Sequence, residues 1–579
     1  MLPLPSRNAR LAFRRAEFAT VPEMLDHAAR GETGITFYNV RGGILSTLPW
    51  RDLQGRAQVL ARRLIGAGFA PRERILVTAD TWPGFFELFF GAQYAGLLPV
   101  PVSIPIGIGG KDAYLEQLRR QLAASGAVAA IGLDDLAGFL ADAAAGSPAV
   151  SLHGGLGVLE ALPEKPVDLR PLGPDDLCYV QFSSGSTRHP HGVQITQRAL
   201  MANLAGMTGP AGLDVVPGDR AASWLPLYHD MGLIGFLMAP LSSQLSIDYL
   251  TPRDFARRPA QWLNIISGNR GSIAYSPSFG YELAARRAAT QVAPDLDLSC
   301  WRHAGIGGDM IRPDVLERFA AAFADAGFDR KAFLPSYGMA EVCLAITFCP
   351  HGGGVRTDAV DRVALAERQT AVPAPADAPD RLRRFVICGK VLPGHRLEVR
   401  DPDGNVLGER AVGRIFVQGP SVMPGYFGEP EASREVLSDD GWLDTGDLGY
   451  LLDGEIVVTG RAKDLIIING RNIWPQDIEW AIEARHVVRS GDTAAFSIDT
   501  GEGERVVVAV LARVAGEEGR AALARDVAGT VRETASVDCD VVLVPPTLGL
   551  PTTSSGKLSR ARTKANYLAG LYTPATAAA

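Results

Sequence analysis

Five stretches combine hydroxyl, carboxylate, imidazole or ammonium groups with glycines that let a ligand approach. The first, Cys178 to Val193 (CYVQFSSGSTRHPHGV), opens with alternating apolar residues, Val180 and Phe182, and breaks into Ser183-Ser184-Gly185-Ser186-Thr187. A buried strand ending in such a turn offers backbone N–H groups and hydroxyls with little side-chain bulk, which is how phosphate oxygens are cradled. It is not a Walker loop, because no G-x-x-x-x-G-K-[ST] spacing is present. The second stretch, Trp224 to Gly232 (WLPLYHDMG), sets His229 beside Asp230. It reads either as a buried histidine held by its neighbouring aspartate or as an imidazole beside a pocket for an apolar chain, with Gly232 and Gly235 leaving room.

The third is Ser336-Tyr337-Gly338-Met339-Ala340-Glu341. A tyrosine next to glycine can stack on a base, and a carboxylate four residues on can hold Mg2+ through oxygen. In the fourth, WLDTGDLG, Asp447 sits in a tight turn where it could accept both ribose hydroxyls. The fifth is split. Arg461 and Lys463-Asp464 precede GRNIWPQDIE, while Lys557 lies far downstream in a Ser/Gly loop. A lysine there is either a solvated surface residue or an ammonium free to swing to where negative charge develops, as phosphoryl-type transition states require.

The elements that must position these groups alternate. Short apolar runs such as RILVT (74–78), with further strands expected around Val100 and Val102 and over 128–131, are separated by helical stretches such as 52–66 and 114–125. That is the pattern of a doubly wound α/β layer. ITFYNV and ILSTLPW around Arg41-Gly42-Gly43 read as a hairpin. A proline-rich link at 161–176 leads into a second α/β half, and the two halves are expected to pack as similar sheets. Residues 351–384, rich in Ala, Pro, Gly and charge, read as an insertion or long surface loop. A β-rich section with Asp-Gly turns follows, then a small α+β unit.

The bulk properties narrow the class. A chain of 579 residues is too long for one core, so about three or four folded units are expected. With 47% hydrophobic and 21% charged residues it needs no disordered or fibrous class. A net charge of −7 argues against a nucleic-acid partner. The six cysteines lack C-x-x-C spacing and read as reduced core residues. Arg7, Arg10, Arg14 and Arg15 precede no apolar segment, and prolines interrupt both long uncharged runs, so neither a secretory signal nor a membrane span is expected. The expected location is the cytoplasm.

SSGST, YGMAE, WLDTGD, GRAKD and SSGK, in that order, resemble the adenylate-forming superfamily of acyl-CoA synthetases, luciferases and peptide-synthetase adenylation domains, over roughly residues 20 to 565. Departures sharpen the match. Acyl-CoA ligases usually follow the turn with Thr-Gly-x-Pro-Lys-Gly, whereas here the run is Thr187-Arg188-His189-Pro190-His191-Gly192. Fatty acyl-AMP ligases carry S-T-R-x-P-x-G at this place, and LPLYHDMGLIG, LPSYGMAE, GRNIWPQDIE and LPTTSSGKLSR also resemble that branch. So does the segment 351–384, where that family carries an insertion that hampers domain movement and CoA use.

The resemblance implies a large adenylation domain over 1–460, built from two doubly wound α/β subdomains plus a β-rich subdomain. A hinge over 461–464 and a small mobile α+β C-terminal domain over 465–579 would complete the chain. It implies ATP and Mg2+, a medium- or long-chain fatty acid substrate, and a separate holo acyl carrier protein as thiol donor, no carrier domain following Ala579. Ser183, Ser184, Gly185, Ser186 and Thr187 would hold the outer phosphates, with Arg188 replacing the missing lysine charge. Tyr337, flanked by Gly338 and Met339, would stack on adenine beside Gly308 and Asp309. Glu341 would hold the metal, Asp447 the ribose, and Arg461 the ribose or phosphate edge. Lys557 would bridge the carboxylate and α-phosphate, His229 would sit at the reacting end, and Lys463 would be the hinge. Trp224, Met231, Gly232, Phe279 and Gly307 are expected to line the acyl pocket. The rivals are a long-chain fatty acyl-CoA synthetase and a catalytically dead nucleotide- or lipid-sensing protein. The presence of Lys557, Glu341 and Asp447 argues against the second.

Overall fold

The computed structural model describes residues 2–104, 110–183, 190–468, 470–486, 488–501, 503–553 and 556–572, and the side chains of all but 110, 288–290 and 380 among these. RILVT and LPVPV form the strands Arg74–Thr78 and Leu98–Val102, which join Ala129–Gly132 and Leu152–Gly155 in a wholly parallel four-stranded sheet. Runs that are apolar on both faces suit a parallel sheet covered on both sides. The prolines at 99 and 101 cannot donate to a ladder, and they fall on the edge strand of this sheet.

A larger sheet carries the cleft. Its middle is six parallel strands in the order Phe333–Gly338, His303–Ile306, Ile273–Ser276, Arg220–Ser223, Ser246–Leu250 and Gly34–Tyr38. Antiparallel strands close it, Ile44–Pro49 on one side and Ala345–Phe348 then Lys390–Val391 on the other. The two α/β halves are therefore both present but unlike, with nine strands against four. The hairpin formed by 34–49 leaves its sequence neighbours and pairs with Ser246–Leu250. A buried polar network goes with that long connection. Arg220 Nε and Nη2 donate to the two Asp248 oxygens at 2.6 Å each, and Asn269 Nδ2 donates to Asp248 (2.9 Å) and to the Tyr38 hydroxyl (2.7 Å). A bidentate arginine–carboxylate pair satisfies both charges where water cannot.

The β-rich section is a four-stranded antiparallel sheet, Arg396–Arg400, Gly413–Gln418, Leu443–Leu452 and Glu455–Arg461 in chain order. Residues 351–384 are not a long loop. Thr357–Asp361 pairs antiparallel with Leu382–Val386, and Asp361 caps the helix Arg362–Arg368 by accepting the Val363 N–H at 2.9 Å. Val360, Leu365, Ala371 and Phe385 are buried with Tyr450, Val457 and Trp474, so this segment has apolar surface to bury and folds for that reason. After Arg461 come a short turn, Ala462–Asp464, and a three-stranded sheet of Thr493–Asp499, Glu504–Leu511 and Cys539–Val544. Helices Pro475–Arg485 and Glu517–Ala535 cover it through a core of its own that includes Ile478, Ile482, Val508, Val527 and Val531. Among the described residues no helix is long and apolar enough to cross a membrane, and all six cysteines are free thiols.

Candidate active site

Ligands of open parallel sheets bind beyond the carboxyl ends of the strands. Here the strands Arg220–Ser223, Ile273–Ser276, His303–Ile306 and Phe333–Gly338 lead into segments that carry His229, Gly307 to Asp309 and Met339 to Glu341, with Tyr337 and Gly338 at the end of the last strand. These segments open onto a cleft of about 650 Å³. Ser183, His229, Met231, Gly307, Gly308, Tyr337, Gly338, Met339, Glu341, Arg461, Lys463 and Lys557 all line it, so most of the residues singled out by their chemistry meet in one place. A second cavity of about 160 Å³ adjoins it, lined by Asp309, Tyr337, Asp447, Arg461 and Lys557. Ser184, Gly185, Ser186, Thr187 and Arg188 lie outside the described residues.

The polar end is built from carboxylates and two cations. Tyr337 donates its hydroxyl to Asp447 Oδ2 at 2.8 Å, and Arg461 Nε lies 3.4 Å from Asp447 Oδ1. Burial raises the Asp447 carboxyl above its ordinary range, with the Arg461 charge and the Tyr337 hydroxyl working against it. Glu341 is buried and its carboxyl is likewise pushed up by burial, while Oε1 accepts the Tyr426 hydroxyl at 3.0 Å. His229 Nδ1 lies 2.5 Å from Asp230 Oδ1. Burial would raise Asp230 too, but the charge and hydrogen bond of His229, with the Lys557 ammonium, hold it below its ordinary range. Lys557 arrives from the far end of the chain and donates to the Gly308 carbonyl. Gly308 stands at φ +78°, in the left-handed region that glycine adopts without penalty. Burial lowers the Lys557 ammonium, opposed chiefly by the Asp309 and Asp230 charges.

The other end is apolar. Phe236, Ile273, Tyr275, Leu344 and Phe348 line it, with Met207 and Leu213. Gly235 and Phe236 belong to a wide π-turn, Ile234–Met238, of the kind that recurs at functional sites. The pocket walls expected from sequence need correcting. Trp224 does not line the cleft. It stacks on Phe255 at 3.8 Å, and Phe279 meets its edge at 5.7 Å, so both belong to the core behind the cleft. Gly232 serves backbone packing, since a Cβ there would fall 2.1 Å from the Pro226 carbonyl oxygen. Residues missed from sequence are Phe236, Tyr275 and Phe348, which carry no local signature, and Tyr426 and Arg560. Arg560 donates to Glu479 (2.7 and 2.6 Å) and to Asp464 (3.0 Å), tying the Lys557 loop to the turn Ala462–Asp464. Its place three residues after Lys557 was the available signal.

One backbone feature lies beside Glu341. Cys343 has φ 61° and ψ −69°, closing a γ-turn in which the Leu344 N–H bonds the Val342 carbonyl at 2.8 Å. Its thiol fills a buried space against the Ser421 carbonyl, 3.4 Å away.

A cleft at the carboxyl ends of a parallel sheet, lined by buried carboxylates and reached by a lysine from a distant segment, is the architecture of adenylate-forming enzymes. The chain belongs to the AMP-binding enzyme family, whose model matches residues 25–427. It is 50% identical over 564 residues to a Caulobacter vibrioides (strain NA1000 / CB15N) protein named "Putative acyl-CoA synthetase", covering 96% of this chain and 97% of that one. It is 30% identical to the medium-chain-fatty-acid–[acyl-carrier-protein] ligase JamA of Moorena producens (strain JHB), covering 96% of each. A structure from studies of fatty acyl-adenylate ligases of E. coli and L. pneumophila superposes with a TM-score of 0.91 at 42% identity, covering 97% of this chain and 100% of that one.

Proposed function

We propose that the protein condenses a fatty acid with ATP to form an acyl-adenylate and pyrophosphate, then passes the acyl group to the phosphopantetheine thiol of a separate holo acyl carrier protein. The observation that carries this reading is the meeting of Lys557 with Gly308, Asp230 and Asp447 between an apolar pocket and a carboxylate-lined one. The chain of the acid would lie among Phe236, Tyr275 and Phe348, with its carboxylate toward Lys557. One carboxylate oxygen attacks the α-phosphorus, and the bond to the bridging oxygen breaks as pyrophosphate leaves. The Lys557 ammonium balances the charge that grows on both reactants. Tyr337 would face the base, Asp447 and Arg461 the ribose, and Ser183 to Thr187 with Arg188 the outer phosphates.

Glu341 fits a hard divalent cation, since its carboxylate lies in the cleft with one oxygen fixed by Tyr426. Among the described residues no group of three or more metal-ligating side chains exists. That agrees with Mg2+ held by one carboxylate plus phosphate and water oxygens. When bound, the ion would supply charge neutralisation for the phosphates.

The domain reading is a large unit over 1–460, a hinge over 461–464 and a small unit over 465–579, rotating about Lys463 for thiol transfer. The insertion at about 351–384 reaches the small unit: Arg362 Nη1 donates to the Thr534 carbonyl at 2.6 Å, and Arg383 Nη2 lies 2.9 Å from Asp477 Oδ1. This tether supports a carrier protein over free CoA, as does the name of the Moorena relative. The name of the Caulobacter relative favours a CoA synthetase. The test is to give the purified protein ATP, Mg2+ and a series of fatty acids, then CoA and a holo carrier side by side. Acyl-AMP with faster transfer to the carrier is expected. Absence of any acyl-AMP would end the reading, and faster turnover with CoA would replace its second half.

A further inference from the structure

Lys557 touches the cleft through the Gly308 carbonyl, at the end of a flexible side chain. Where its ammonium stands therefore depends on how firmly its backbone is held. Local bonds hold it first. The Ser559 N–H donates to the Pro551 carbonyl at 2.9 Å, and the Thr553 N–H donates to the Lys557 carbonyl at 2.7 Å. These tie the segment only to itself. Arg560, which opens the helix Arg560–Leu568, ties it to other elements. Its largely buried guanidinium grips both oxygens of Glu479, on the helix Pro475–Arg485, and one oxygen of Asp464. Glu479 Oε1 also accepts the Ala495 N–H at 3.0 Å, so the same carboxylate is anchored to the three-stranded sheet. Arg560 and Lys557 line the same small cavity, and the Asp309 charge acts on both.

Resting on the adenylate-forming reading, we infer that Arg560 is a positioning residue for Lys557. It presents the lysine to the cleft by strapping its segment to the helix Pro475–Arg485 and to the turn Ala462–Asp464. Arg560 follows Lys557 by three residues, a span of about 10 Å when fully extended, which is too short to leave the lysine backbone independent of the strap. A bidentate arginine–carboxylate pair fixes direction as well as distance, and a lysine in place of Arg560 could not do the same. The sequence suggests an ammonium free to swing on a pliant loop. The contacts instead make it travel with the sheet and helices beneath it. Withdrawal from Gly308 then calls for movement of the whole small unit, because motion of the segment alone would break the bonds to Glu479 and Asp464. Arg560 acts only through the lysine and touches no substrate in this arrangement.

The experiment measures acyl-AMP formation by the full-length protein with ATP, Mg2+ and a fatty acid, in a double-mutant cycle on Lys557 and Arg560. Arg560→Ala should lower kcat about tenfold to a hundredfold, the cost of misplacing a catalytic group by a small distance. The KM values for ATP and for the fatty acid should stay unchanged. Arg560→Lys, which keeps the charge but loses the fork, should recover part of the loss. In a Lys557→Ala background Arg560→Ala should have no further effect, because nothing is left for it to position. Thiol transfer from chemically prepared acyl-adenylate should stay near the parent rate in Arg560→Ala and show that the variant is folded. Should that rate fall too, Arg560→Lys takes its place in the cycle, with the same non-additivity expected. An unchanged kcat in Arg560→Ala overturns the inference. So do losses that multiply in the double variant, since they mark a role in folding alone. Absence of acyl-AMP from the parent protein would overturn the adenylate-forming reading instead.

Discussion

The segment after Arg461 touches the rest of the molecule in two ways that differ in kind. Over the cleft, Lys557 reaches a single backbone carbonyl, that of Gly308. On the flank, Arg383 is buried between the rings of Phe385 and Trp474, at 4.2 and 4.6 Å, beside Asp477. Arg312 adds bonds to Glu483 (2.8 Å) and Ser490 (2.9 Å) under Trp480. A substrate oxygen can replace the Gly308 carbonyl as partner of the lysine at little loss. Nothing in the cleft can replace the flank contacts. Yet the flank is not a lock, because burial lowers the Arg383 pKa despite Asp477, the sign of a charge that gives up much hydration to be there. On the proposed reading, the chemistry would rest on the contact that is easily exchanged, and the rotation would be governed by the other.

The comparison fails most visibly if Lys557 is dispensable. Lys557→Ala is expected to lower adenylate formation about a hundredfold to a thousandfold. Thiol transfer from supplied acyl-adenylate should be close to the parent rate, and pyrophosphate release against thioester formation separates the two. Next in size is Arg383→Ala, which empties the space between the rings and leaves Asp477 without its partner. Docking of the small unit should weaken by on the order of 2 kcal/mol, roughly thirtyfold. The check is the rate of proteolytic cleavage across 461–464.

The smallest effect is on pH dependence. Burial holds the Glu483 carboxyl up at about 7, against its ordinary 4.5. The docked state therefore binds this proton more tightly than a solvated carboxyl does. Its contribution to docking is complete below about 4.5 and is lost as pH rises through about 7. Hinge cleavage should accelerate over that window, and Glu483→Gln should flatten the profile.

Much of the site was legible because its parts are local. A tyrosine before glycine and a carboxylate four residues on stand out within a few residues, and both line the cleft; Asp447, expected in a tight turn, lies instead within the strand Leu443–Leu452. The strand–helix alternation was legible for a similar reason, since RILVT and LPVPV are apolar on both faces. Pairings across long stretches of chain were not. Nothing in 34–49 says that its partner is 246–250, because the Arg220–Asp248–Asn269 network that joins them draws on three separate segments. Trp224 and Phe279 look like pocket walls until Trp224 is seen stacked on Phe255 with Phe279 against its edge. The composition of 351–384 suggests a loop, and the few apolar residues that make it a hairpin are recognisable only against Tyr450 and Trp474.

The bend at Cys343 has a consequence of its own. A residue with a Cβ held at φ 61° costs about 1–3 kcal/mol and persists only where its surroundings impose it. Here they do, with the sulfur wedged into a pocket two positions along from Glu341. The strained bend thus sits two residues from the carboxylate that takes the Tyr426 hydroxyl. The bend itself is fully buried, while its neighbours Glu341 and Leu344 face the cleft.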